Sequence, residues 1–184
     1  MNDKFFTDYF KFMQAGMELV SHEDLIKASE KIQAVSKKGN KLIICGNGGS
    51  AAMASHVSVD FTKVAGIRAI NFNEADLLTC FSNDYGYDRV FEKAIEFFGD
   101  EGDIVILISS SGSSANVVNT AKCAKKMKIG VITFSGFDND NPLRQLGDIN
   151  FWVDSKGYNI VEMTHHIWLL AIVDYIIGKI EYPA

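Results

Sequence analysis

The chain is poor in residues that break or pin a fold. Its 184 residues include two prolines, Pro142 and Pro183, and no low-complexity linker. So few breaks point to a single unit over 1–184, with N-terminal helices over 1–39 and an α/β core over 40–184. The three cysteines, Cys45, Cys80 and Cys123, are widely spaced and form no CxxC pair. They read as three buried thiols in a reducing cytoplasm rather than a disulfide framework. Basic clusters are also scarce. Lys37-Lys38 and Lys125-Lys126 are the local pairs, and the net charge is −5. This argues against a nucleic-acid surface. No apolar run is long enough to suggest a bilayer span, so no membrane partner is expected. Asp3, Lys4 and Asp8 interrupt the N-terminal aromatics, so no signal peptide is expected either.

What is abundant is apolar side chain, at 47%. Phe5, Phe6, Tyr9, Phe10, Phe12, Met13 and Met17 load the first helix on most of its sides. One core face cannot hold them all, so another subunit is expected against this helix. A second helix opens at Ser21-His22-Glu23-Asp24, a capping-box-like start, and ends near Gly39. From Lys41 onward strands and helices alternate. The pattern predicts strands at 41–45, 67–72, 103–108, 129–134 and 149–153, and helices at about 50–63, 75–81, 88–98, 114–127 and 159–180. Runs such as Ile104–Ile108 are apolar throughout, as in a parallel sheet covered on both faces. The predicted fold is a doubly wound α/β sandwich, a five-stranded parallel sheet flanked by helices, with ligands at the C-terminal strand ends.

Two of these strands empty into loops of small residues. Gly46-Asn47-Gly48-Gly49-Ser50 follows the first, and Ser109-Ser110-Ser111-Gly112-Ser113-Ser114 follows the third. A Walker loop needs a Lys-Ser or Lys-Thr pair, which does not follow Gly49. A dinucleotide fingerprint needs a sixth-position glycine, where Ala51 stands. The first loop alone reads as readily as a ligand-free turn. The second holds more hydroxyls than a turn requires, and hydroxyls with backbone N–H groups cradle phosphate and sugar oxygens. Two such loops at one sheet end suggest a phosphorylated small molecule gripped from both sides.

These blocks, together with Ser82-Asn83-Asp84-Tyr85-Gly86-Tyr87 and Ala115-Asn116-Val117, resemble the sugar isomerase (SIS) family. The branch most similar is the phosphoheptose isomerases, which convert sedoheptulose 7-phosphate to D-glycero-D-manno-heptose 7-phosphate. The resemblance covers nearly the whole chain. It implies a homotetramer with active sites at subunit interfaces and the N-terminal helices used in oligomerisation. By position, Ser50, Ser109, Ser111 and Ser114 are implied to hold phosphate or sugar oxygens, and Asn47 and Asp84 to contact the sugar. Gly48, Gly49 and Ser110 complete the expected substrate loops.

His56 and Asp60 sit four apart on the helix behind the first loop and share a face. Such a pair can bind a divalent metal or supply a base, or it can be a solvated helix edge. The resemblance implies zinc held by His56, Asp60 and Glu162, with Leu170 standing where the family has its last histidine; the alternatives are a set completed by His165 or His166, or a site that needs no metal. Asp60, Glu162, His165 and His166 are the catalytic candidates, because Glu162 lies three and four residues from the two histidines. An aldose–ketose isomerase acting through an enediolate is therefore expected. The alternative is a non-catalytic SIS protein that binds a sugar phosphate or a protein, like the branch associated with the bacterial replication initiator.

Overall fold

A computed structural model describes residues 3–182 of the chain. The elements in chain order are α1 (Asp3–Glu18), α2 (His22–Lys37), β1 (Leu42–Gly46), α3 (Gly49–Lys63), β2 (Ala69–Asn71), α4 (Ala75–Tyr85), α5 (Val90–Phe98), β3 (Ile104–Ser109), α6 (Ala115–Lys126), β4 (Gly130–Ser135), β5 (Ile149–Trp152) and α7 (Tyr158–Ile177). A 3-10 turn, Tyr87–Arg89, links α4 to α5. The five strands form one parallel sheet in the order β2-β1-β3-β4-β5.

The strands assemble as their composition requires. Every residue of β1 and β3 is buried, so helices cover both faces of the sheet centre. Side chains alternate across the pleat. Ile44, Ile106 and Phe134 face Ala28, Ile32, Met53, Phe61, Trp168 and Leu169 of α2, α3 and α7. Ile43, Val105 and Leu107 face Phe91, Ile95, Val117 and Ala121 of α5 and α6. Strand order reverses between β1 and β3, which pair from Leu42 opposite Ile104 to Gly46 opposite Ile108. In open α/β sheets a crevice opens at such a switch point, outside the carboxyl ends of the strands.

Four expectations need correction. Cys80 is exposed, because α4 lies at the rim and sets only Leu77, Leu78 and Phe81 against the core. Helix α4 also runs to Tyr85, one turn past the predicted end. Helix α7 stops at Ile177, where Gly178 adopts a left-handed conformation at φ 74° and caps it. Finally, α7 is long and apolar enough by composition to cross a membrane, with a mean hydropathy of 1.4 over its best window. Ile160, Trp168, Leu169 and Ile172 are buried, and the helix packs against α1, α2 and α3. That is the environment of a core helix.

Candidate active site

The two small-residue loops meet at the switch point. After β1 the chain turns through Asn47 and Gly48, and Gly48 precedes the first turn of α3. After β3 it turns through Ser109–Ser114, and Ser114 occupies the N-cap position of α6. Gly112 is required in that turn. Its φ is +64°, and a Cβ there would collide with the buried side chain of Asn141. Asn141 in turn donates to the Ser135 hydroxyl and to the carbonyls of Gly136 and Asp138, holding the turn against β4.

Between the loops lies a cavity of about 120 Å³ lined by Asn47, Ser50, Ile108, Ser109, Ser110, Ser111, Ser114, Tyr158 and Glu162. Its hydroxyls are partly engaged with one another. Ser109 Oγ donates to Ser114 Oγ at 3.3 Å, and Ser113 Oγ donates to Ser111 Oγ at 3.1 Å. Ser110 Oγ is buried without a partner among the described residues. A buried hydroxyl left unpaired costs on the order of 1–3 kcal/mol, which an oxygen-bearing ligand in the cavity would offset by pairing with it.

Glu162 reaches this cavity from α7. Its carboxylate lies against the first turn of α3, and a Cβ on Gly49 would strike it. Gly49 is thus the residue that lets α7 present a carboxylate to the loops, at the positive end of the α3 dipole.

His56, Asp60 and His166 form a separate group further along the α3–α7 seam. His56 Nε2 lies 3.4 Å from Asp60 Oδ2. The His166 ring meets that of His56 edge-to-face at 4.8 Å, with its Nε2 buried and without a partner among the described residues. Burial first, and the neighbouring His56 second, depress the His166 pKa, while Asp60 opposes them. His165 points the other way. It is wholly buried beside Phe134 and Trp168, with Nε2 2.9 Å from the Ser135 carbonyl oxygen. Because a carbonyl only accepts, Nε2 carries the proton and Nδ1 is bare. Burial pushes the His165 pKa down to about 4, against the upward pull of the Ser135 hydrogen bond.

The implied zinc ligands do not converge within one chain. Among the described residues, the group of three ligand atoms lying within 4.8 Å of one another is Glu92, Glu96 and Cys123, and not His56, Asp60 and Glu162. Glu92 and Glu96 are ion-paired with Arg89 and Lys93, and burial together with both glutamates raises the Cys123 thiol pKa. A protonated thiol between two neutralised carboxylates is a poor metal site.

Comparison with known proteins decides the family. Residues 6–136 match the SIS domain family. A phosphoheptose isomerase of Aliarcobacter butzleri is 36% identical over 166 residues, covering 87% of each chain. The chain belongs to the SIS-domain family, in its phosphoheptose isomerase branch. A second member of that branch, from Fusobacterium nucleatum, is 33% identical over 162 residues, 85% of this chain and 82% of the relative. Among solved structures, phosphoheptose isomerase GmhA from Neisseria gonorrhoeae superposes with a TM-score of 0.87 at 29% identity, covering 95% of this chain and 96% of that one.

Within this SIS fold, Asn47, Ser50, Ser109, Ser110, Ser111, Ser114 and Glu162 are gathered around one cavity. Gly48 and Gly49 supply the turn behind it. Asp84 lies elsewhere, exposed on α4 beside Cys80 Sγ at 3.7 Å. Three residues joined by structure carried no assignment from sequence. Tyr158 lines the cavity, and Asn116 and Tyr87 both hydrogen-bond Asn47. Tyr87 and Asn116 fall inside the family's sequence blocks, which was the available signal.

Proposed function

We propose that this protein interconverts sedoheptulose 7-phosphate and its aldose isomer in the serine-lined cavity, through an enediolate. The observation that carries this reading is the position of Glu162, the carboxylate lining the cavity between the two loops. The serines and the N-terminus of α6 hold phosphate and hydroxyl oxygens. Glu162 takes a proton from C1 of the ketose. The electron pair forms the C1–C2 double bond, and negative charge collects on the former carbonyl oxygen at C2. Hydroxyl and amide N–H donors of the loops stabilise that oxygen. Glu162 then returns the proton to C2, the O1 hydroxyl proton passes to O2, and C1 becomes the aldehyde carbon.

The zinc set implied by the resemblance does not fit this chain. Leu170, which cannot ligate a metal, stands in for a ligand, and Glu162 lines the serine cavity. The proton transfers above therefore use the chain's own groups. His56, Asp60 and His166 form a neighbouring cluster of one carboxylate and two imidazoles. The non-catalytic alternative is not favoured, since the relatives above are named isomerases. Assembly as a cytoplasmic homotetramer belongs to the same reading. It is supported by the exposed Phe5, Phe6, Phe10 and Phe12 of α1 and by three free thiols.

The test is proton exchange. Incubation with sedoheptulose 7-phosphate in heavy water, followed by NMR, is expected to give aldose and deuterium at the carbons next to the carbonyl. Binding without exchange, across several ketose phosphates, would remove the enzyme reading.

A further inference from the structure

We infer that Tyr87 and Asn116 lock Asn47 as a donor-only contact, which makes Tyr87 a positioning residue for the ligand. The inference rests on reading the serine cavity as a sugar-phosphate site, and on a hydrogen-bond network whose orientation is forced. The backbone N–H of Val117 is shared between the Ser114 carbonyl oxygen and Asn116 Oδ1, each at 3.0 Å. A backbone N–H can only donate, so the Asn116 oxygen must face it. That fixes the other contacts in turn. Asn116 Nδ2 donates to Asn47 Oδ1 at 2.8 Å, and Asn47 Nδ2 donates back to Asn116 Oδ1 at 2.9 Å. With Asn47 so oriented, the Tyr87 hydroxyl must donate to Asn47 Oδ1, at 2.8 Å.

Both acceptor positions of Asn47 Oδ1 are then filled. One hydrogen of Asn47 Nδ2 has no partner among the described residues, and Asn47 lines the cavity. The site therefore offers the sugar a single N–H at this point and no acceptor. A carbonyl, enediolate or hydroxyl oxygen satisfies it, and an ammonium group does not. Asn116 is buried and Tyr87 is 57% exposed, so the interior partner holds the plane of the amide and the rim partner saturates its oxygen.

The experiment is a double-mutant cycle read by calorimetry with sedoheptulose 7-phosphate. Tyr87→Phe is expected to weaken binding about 3–10-fold, the worth of one neutral hydrogen bond, with an unchanged unfolding midpoint. In an Asn47→Ala background the same substitution is expected to change binding by less than about twofold, because the group it positions is gone. Equal losses in both backgrounds, or no loss in the parent, would overturn the inference. If Asn47→Ala binds too weakly to measure, the Asn47 side-chain amide resonances decide. Ligand should move one of the two hydrogens, and a ligand that moves neither would overturn the inference. Binding without deuterium exchange sinks the isomerase reading alone, and additive losses sink the Tyr87 inference alone. A parent protein that does not bind sinks both.

Discussion

His165 and His166 are neighbours with different chemistry, and the difference is rotation. Successive residues on a helix diverge by about 100°, so one ring enters the core beside Phe134 and Trp168 while the other meets His56. The sequence could name both histidines and could not say which faced inward. Burial holds the His165 pKa at about 4, below its ordinary 6.5, so the unfolded chain takes up more protons between those values. Stability is therefore unaffected above pH 6.5 and falls as pH drops toward 4, by on the order of 3 kcal/mol. His166 is shifted in the same direction. Denaturant unfolding of the parent and of His165→Gln, compared at pH 7 and pH 4.5, checks this. The variant should lose much less stability on acidification than the parent, and equal losses would contradict the assignment. Glutamine preserves a donor for the Ser135 carbonyl without a titrating ring.

Helix α7 binds core and site together. One stripe, with Ile160, Trp168, Leu169 and Ile172, covers the sheet, while Glu162 and His166 lie one turn apart along the seam with α3. The strands that position the loops were legible because β1 and β3 are apolar in every core position, a pattern only a covered parallel sheet explains. The loops were legible through their glycines and hydroxyls. Tyr87 was not, because its link to Asn47 spans forty residues and depends on the 3-10 turn after α4. The reach of Glu162 was hidden for a similar reason, since sequence spacing placed it near the histidines but could not say that it lines the serine cavity. The contact between α3 and Glu162 makes a prediction at this scale. Gly49→Ala should push the flexible carboxylate out of the cavity, reducing turnover by at least about tenfold while the unfolding midpoint shifts little. Full turnover in that variant would contradict the placement of Glu162.

For the whole molecule, the unresolved demand is the outer face of α1. Met13, Met17 and Gly16 lie against Thr164 and Trp168 of α7, leaving Phe5, Phe6, Phe10 and Phe12 between 56% and 65% exposed. Four phenylalanines on one short helix exceed what a lone chain normally leaves in water. Sedimentation equilibrium should show an oligomer, and Phe6→Glu with Phe10→Glu should shift it toward smaller species. A parent that sediments as a monomer would contradict this. The central claim, that the serine cavity is a site of proton transfer served by Glu162, has its own direct measurement. Deuterium incorporation into sedoheptulose 7-phosphate and calorimetric binding of the same sugar would be compared in the parent and in Glu162→Gln. The account predicts exchange slowed by roughly 10²–10⁴-fold with binding within a few-fold of the parent. Exchange at the parental rate in Glu162→Gln would contradict it.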